Sequence, residues 1–234
     1  MTMPRLRLNV QRYLTFELGR ACPFALTHTK CPIGHPERYR FGQQTQALSD
    51  DLIFRFWHWA RYDRDFRGII MWHAYNEPYL QLARIRELMV TIKSYDSGQP
   101  FQLFTAIRPD VPGFDLIKFT DYDAGKELDD RILSAAGEGK PYEAMQPAGW
   151  CGRGWGWELL IDYYGNWCLC CNDWRCEEAI GNIWTDDWDD LLQRYAEKAK
   201  RLRWRDRATY EALPRMCRAC LDVNPNLHRS GASF

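Results

Sequence analysis

The sequence lacks any apolar run that could cross a bilayer, where a spanning helix needs about 20 consecutive apolar residues. Its start, with Arg5 and Arg7, lacks the apolar core of a secretory signal. Neither membrane insertion nor export is expected, and the reading is a cytoplasmic protein. Excess charge is missing too: 31 basic and 31 acidic residues cancel. No basic block stands out, so nucleic acid is not an expected partner. Internal repeats and low-complexity segments are absent, which leaves an ordinary globular chain. Its 234 residues can build one good-sized core, or one core with a small appendage.

Cysteine is what the chain does not lack. Nine cysteines in a cytoplasmic setting point to metal or redox chemistry more than to disulfides. The odd number and the adjacent Cys170-Cys171 pair also fit a disulfide framework poorly. Eleven tryptophans exceed what a substrate pocket needs, so most are expected in the core or shielding a centre.

The first half alternates strand-like and helical runs, the pattern of βα units around a parallel sheet. Strands are expected over Gln11–Leu18, Gly68–Tyr75, Phe101–Ala106 and Leu116–Tyr122. Ser49 is a fitting N-cap for a helix through about Tyr62, with Leu52, Ile53, Phe56, Trp57 and Ala60 on one side. Leu82, Ile85, Leu88, Met89 and Ile92 mark a second helix over Tyr79–Lys93, with Pro78 in a first-turn position. After about Leu133 the chain reads as a connection, so a boundary is placed there, with one domain over 1–149 and another over 150–234. In the second part, Trp157–Tyr164 and Asn166–Cys171 read as a hairpin about Gly165. Asp186–Leu202 reads as a helix, its acidic start and basic end matching the helix dipole.

Seven of the cysteines follow Trp150. Cys151 and Cys170 are well separated, and Cys217 and Cys220 form a distant Cys-x-x-Cys pair. A chain that folds back on itself can gather such cysteines into a four-thiolate site. Spacing alone leaves zinc and iron–sulfur equally open. With Cys151-x13-Gly165-x4-Cys170, Gly181-Asn182-Ile183 and Cys217-x-x-Cys220 in place, this part resembles the auxiliary-cluster domain of radical S-adenosylmethionine (SAM) enzymes, in its shortened "twitch" form. A full SPASM domain would carry further cysteines past the pair, and none follow Cys220. The resemblance implies one auxiliary [4Fe–4S] cluster held by Cys151, Cys170, Cys217 and Cys220, with Cys168 and Cys171 competing for the second position. It leaves Cys176 over, as a small buried residue or a thiol able to donate a hydrogen atom.

The first half resembles the same family. Its members use a partial (βα) barrel whose first strand leads into a loop binding a cluster through three cysteines, with the fourth iron open to SAM. Here Tyr13–Leu18 runs into Gly19-Arg20-Ala21-Cys22 and on to Cys31. The usual three-cysteine spacing is not present; His28 stands three residues before Cys31, and Cys22, His28 and Cys31 form the candidate ligand set, with His35 a second candidate histidine. Asn76-Glu77-Pro78 resembles the Gly-Glu-Pro motif whose backbone receives the SAM amino group. Thr105 sits where the third strand ends, and Lys118–Asp123 looks like the fourth strand. No fifth and sixth βα units are evident before Trp150.

The resemblance therefore implies an α/β fold: a truncated partial (βα) barrel of the radical SAM type followed by a small α+β twitch/SPASM-like domain. It implies a SAM-binding [4Fe–4S] cluster, an auxiliary [4Fe–4S] cluster and SAM as cofactors, with an external electron donor of the flavodoxin or ferredoxin type. The expected reaction is SAM cleavage, hydrogen abstraction from a small molecule and transfer of an electron to the auxiliary cluster. Modification of a short peptide is the alternative within the family. A non-catalytic relative holding one cluster, or zinc, is the alternative outside catalysis. His73, Arg108, Lys118 and Asp121 are candidates to line a pocket, with no catalytic role assigned.

Overall fold

The computed structural model describes residues 6–23, 46–107, 112–119, 149–151, 155–173 and 175–223. Local preferences explain most of its elements. The Ser49 hydroxyl accepts from Leu52 N at 3.2 Å and starts α1 (Asp50–His58), whose first turn carries Asp50 and Asp51. Its last turns open into a π-helical turn, Trp59–Asp63, where Arg64 N reaches back to Trp59 O. Pro78 opens a short 3-10 turn, Pro78–Gln81, which leads into α2 (Leu82–Tyr95). The Asp187 carboxylate caps α3 (Trp188–Arg201) by accepting from Asp189 N and Asp190 N.

The strands are shorter than the alternation of residues suggests. They are β1 (Tyr13–Phe16), β2 (Ile69–Met71), β3 (Phe101–Thr105), β4 (Leu116–Phe119), β5 (Gly149–Trp150), β6 (Glu158–Ile161), β7 (Asn166–Cys168), β8 (Gly181–Asn182) and β9 (Arg203–Trp204). Two further helices, α4 (Arg207–Glu211) and α5 (Arg215–Val223), close the described chain. Seven strands form one sheet in the order β4-β3-β2-β1-β6-β7-β8, and β5 pairs only with β9. β1, β2, β3, β4 and β6 are parallel, while β7 and β8 return antiparallel. The expected hairpin of β6 and β7 is present, but β6 also pairs parallel with β1, Tyr13 opposite Glu158 and Phe16 opposite Ile161. Strands from both sides of position 149 thus share a sheet. The fold is mixed α/β with a mostly parallel sheet, and no described helix is long and apolar enough to cross a membrane.

Alternation gives the sheet two unlike faces. Leu14 and Phe16 of β1, Ile70 of β2, Phe101 and Leu103 of β3, Leu159 and Ile161 of β6 and Trp167 of β7 belong to the apolar core. The helices contribute Leu52, Ile53, Phe56 and Trp57, then Ile85, Leu88 and Ile92, then Leu191, Leu192 and Tyr195. Phe56 is the hub: its ring meets Phe16 at 6.2 Å, Trp167 at 5.6 Å and Trp188 at 5.3 Å, all near edge-on. The alternate residues of the same strands include Thr15, Gln102, Glu158 and Leu160, with Glu17 and Asp162 just past two strand ends, and all are buried. Burying so many polar groups is costly unless they are paired or meet a ligand.

Gly68 shows how tightly β2 enters beside β1. A Cβ there would lie 2.5 Å from both Arg12 O and Gln11 O, which are backbone atoms in a neighbouring strand approach. Gly68→Ala should cost about 1–3 kcal/mol through overpacking, read as a lowered midpoint in urea. Gly98→Ala, whose Cβ would meet only Asp96 Oδ1 at 3.4 Å, should leave the midpoint nearly unchanged.

Candidate functional site

Parallel strands of an open α/β sheet present their carboxyl ends as the place where ligands gather. Here β1, β2 and β3 end together, and Glu77 ties their ends to one another. Its Oε1 accepts from Tyr79 N at 3.0 Å and from the Thr105 hydroxyl, and its Oε2 accepts from Ala106 N at 2.8 Å. The Glu77 backbone N–H donates to Ala21 O at 3.0 Å, one residue before Cys22. Asn76-Glu77-Pro78, Thr105 and the start of the Cys22 loop are therefore one constellation. Pro78 is buried against it and has no N–H to satisfy. Glu17, at the end of β1, accepts from Tyr75 N at 3.4 Å and from Tyr163 N at 3.3 Å, drawing the ends of β2 and β6 to the same edge.

Asn76 leaves a buried donor over at this edge. Asn76 Oδ1 accepts from Ala74 N at 3.2 Å, while Asn76 Nδ2 is buried with no acceptor among the described residues. A ligand carboxylate at the strand ends would satisfy it, so the residues present fit an amino-acid-bearing cofactor such as SAM. Cys22 is half-buried at the rim. His28 and Cys31 lie outside the described residues, as do His35, Arg108 and Asp121, and so does the Lys118 side chain. His73 stacks on Phe104 with ring centroids 5.0 Å apart.

The second constellation is sulfur-rich. Cys151 follows β5 and donates its N–H to Leu202 O at 2.9 Å. Cys170 follows β7, and Cys217 and Cys220 sit three apart, hence on one face, of α5. Burial pushes the Cys170 thiol well above the usual thiol range, and Cys171, Cys217, Cys151 and Cys220 push it the same way. Burial likewise raises Cys217, followed by Cys151 and Cys220. Cys170 and Cys217 thus lie within the field of Cys151 and Cys220, with Cys171 also close to Cys170. Four such thiols can ionise together only beside a positive centre, which is the donor set of a metal or iron–sulfur site. Asn172 Nδ2 donates to Cys220 Sγ at 2.9 Å. Asp173, one residue on, is pushed up to about 6 by burial, against the lowering effect of amide donors from Glu178 and Glu177.

Several of these residues were not singled out by sequence reasoning. Glu17, Asn172 and the Thr15–Glu158 pair, bonded at 2.7 Å across β1 and β6, carry no motif. Only the presence of charge inside strand patterns could have flagged Glu17 and Glu158. Cys168 and Cys176 come together with Asp162.

No family model matches the chain, and no curated protein matches it. Among solved structures it is similar to that of BtrN in complex with AdoMet and 2-DOIA, with a TM-score of 0.58 and 16% sequence identity. The match covers 92% of this chain and 93% of that one, so the two share a fold over nearly their whole lengths.

Glu77→Gln keeps the size of the side chain but places a donor where Ala106 N or the Thr105 hydroxyl needs an acceptor. It should destabilise the protein by about 3 kcal/mol, while Thr105→Val should cost about 1 kcal/mol. Urea denaturation at neutral pH measures both.

Proposed function

We propose that the chain is a radical SAM oxidoreductase acting on a small molecule. The observation that carries this reading is the Glu77 constellation: it binds the Cys22 loop to Asn76-Glu77-Pro78 at the strand ends, in a fold similar to that of BtrN, whose structure holds AdoMet and 2-DOIA. In this chemistry SAM at a reduced [4Fe–4S] cluster supplies a 5′-deoxyadenosyl radical that takes a hydrogen atom from substrate, and an auxiliary [4Fe–4S] cluster accepts an electron.

The chain's own residues have separable tasks in this reading. Cys22, with His28 and Cys31, holds the first cluster. Asn76 offers its buried amide to the SAM carboxylate, and Glu77 fixes the loop that receives the amino group, with Thr105 and Pro78 holding its shape. Cys151, Cys170, Cys217 and Cys220 would hold the auxiliary cluster. Asn172 donates to one of those sulfurs, a contact of the kind that tunes cluster potential. The buried polar face of the sheet, with Thr15, Glu17 and Glu158, excludes water and orients the substrate. A flavodoxin- or ferredoxin-type donor supplies the electron, and a short peptide is the alternative substrate class.

Anaerobically reconstituted protein should hold two [4Fe–4S] clusters and release 5′-deoxyadenosine from SAM under reducing conditions. Cys22→Ala should abolish release, with one cluster remaining. A single cluster indifferent to Cys22→Ala, with no SAM cleavage, would falsify the enzyme reading and leave the non-catalytic one. Asn172→Leu should leave iron content intact and lower the auxiliary cluster's reduction potential, followed by redox-poised EPR, because a donor to cluster sulfur favours the more negative reduced state.

A further inference from the structure

The buried face of the sheet carries one cluster that the proposed chemistry does not use. Asp162 follows β6, Cys168 ends β7, and Cys176 lies in the turns beyond. Their ligand atoms, one carboxylate oxygen and two sulfurs, all lie within 4.8 Å of one another, and all three residues are buried. The two sulfurs are 2.9 Å apart. Leu160 packs with them, and Ala74, Cys171 and Ala179 cover the group.

The three side chains are held in place by the backbone around them. Cys168 is fixed opposite Leu160 in the antiparallel ladder. Asp162 Oδ1 accepts from Tyr164 N and Asn166 N, each at 2.9 Å, and Oδ2 accepts from Asn166 Nδ2 at 2.9 Å. Those three donors lock the rotamer. Ligating carboxylates are oriented by such partners. Gly165, with φ +83°, allows the turn that delivers these amides. Cys176 is held at φ 56°, a conformation uncommon for a non-glycine residue, with its N–H on Asp173 O at 2.9 Å. A backbone outlier at a buried thiol is a pointer to function.

We propose that Asp162, Cys168 and Cys176 form a binding site for a thiophilic divalent cation of the zinc type, separate from the four-thiol set. Two thiolates and a carboxylate are a donor set for zinc and not for magnesium or calcium, which take oxygen ligands. Three protein ligands leave one tetrahedral position for water or a substrate atom. Binding displaces two thiol protons to solvent and involves no electron transfer. With zinc–sulfur bonds of about 2.3 Å, tetrahedral geometry sets the sulfurs roughly 3.7 Å apart. The pair must therefore open by rather less than an ångström, within reach of a side-chain rotation. A disulfide would instead close the pair and would not engage the carboxylate. The site lies beside Ala74, on the approach to Asn76, so a cation here would neighbour the strand-end constellation.

The test compares wild-type protein with Cys168→Ser/Cys176→Ser, both purified anaerobically, reconstituted with iron and sulfide, and equilibrated with zinc. Zinc, iron and sulfide are counted on the same samples. The wild type should hold about one more zinc per chain than the variant, with equal iron and sulfide in both. Equal zinc in the two proteins overturns the proposal, as does a wild-type mass two hydrogens light that maps to a Cys168–Cys176 disulfide. Because the readout is the difference, it stands whether the four-thiol set carries iron–sulfur or zinc. Cobalt(II) added to the reconstituted wild type gives a second measurement that needs no folded variant. A thiolate-to-cobalt charge-transfer band should appear, and zinc should bleach it; its absence overturns the site.

Discussion

The buried carboxylate of Glu77 is the contact on which the strand-end constellation depends. It gathers the turn after β2, the end of β3 and, through its backbone N–H, the Cys22 loop. A buried carboxylate is tolerated because its two oxygens accept from three donors, Tyr79 N, the Thr105 hydroxyl and Ala106 N. Removing one partner exposes part of the desolvation cost, and altering the carboxylate itself exposes more of it. Rigidity is what a binding edge needs, since ligand atoms must be received within a fraction of an ångström.

The sheet then does two jobs with one set of strands. Its apolar face packs α1, α2 and α3 around Phe56, supplying the stability. Its other face keeps Thr15, Glu17, Glu158 and Asp162 out of water. β6 joins the two parts of the chain: it is parallel to β1 on one edge and antiparallel to β7 on the other.

Much of this was legible in the sequence where the signal is local. The stripe of Leu191, Leu192, Tyr195 and Ala199 marks α3 because helical period puts one face into the core, and Ser49 marks the start of α1 because its hydroxyl caps a free amide. Pairings between distant residues were not legible. The β1–β6 ladder joins residues about 145 apart in sequence, and nothing in Glu158–Ile161 distinguishes a strand with one neighbour from a strand with two. Glu17 and Glu77 are both acidic residues at strand ends, yet only the latter sits in a recognisable tripeptide. Asp162, Cys168 and Cys176 meet because a turn and a positive φ bring them together, and neither leaves a spacing motif.

The claim at the centre of this account is that the Glu77 edge receives SAM beside a cluster on the Cys22 loop. EPR of the reduced, reconstituted protein tests it directly. Adding SAM should shift the signal of one cluster and leave the other unchanged, and the shift should vanish in Cys22→Ala while persisting in Cys170→Ala. A spectrum unaltered by saturating SAM in the wild type would contradict the account.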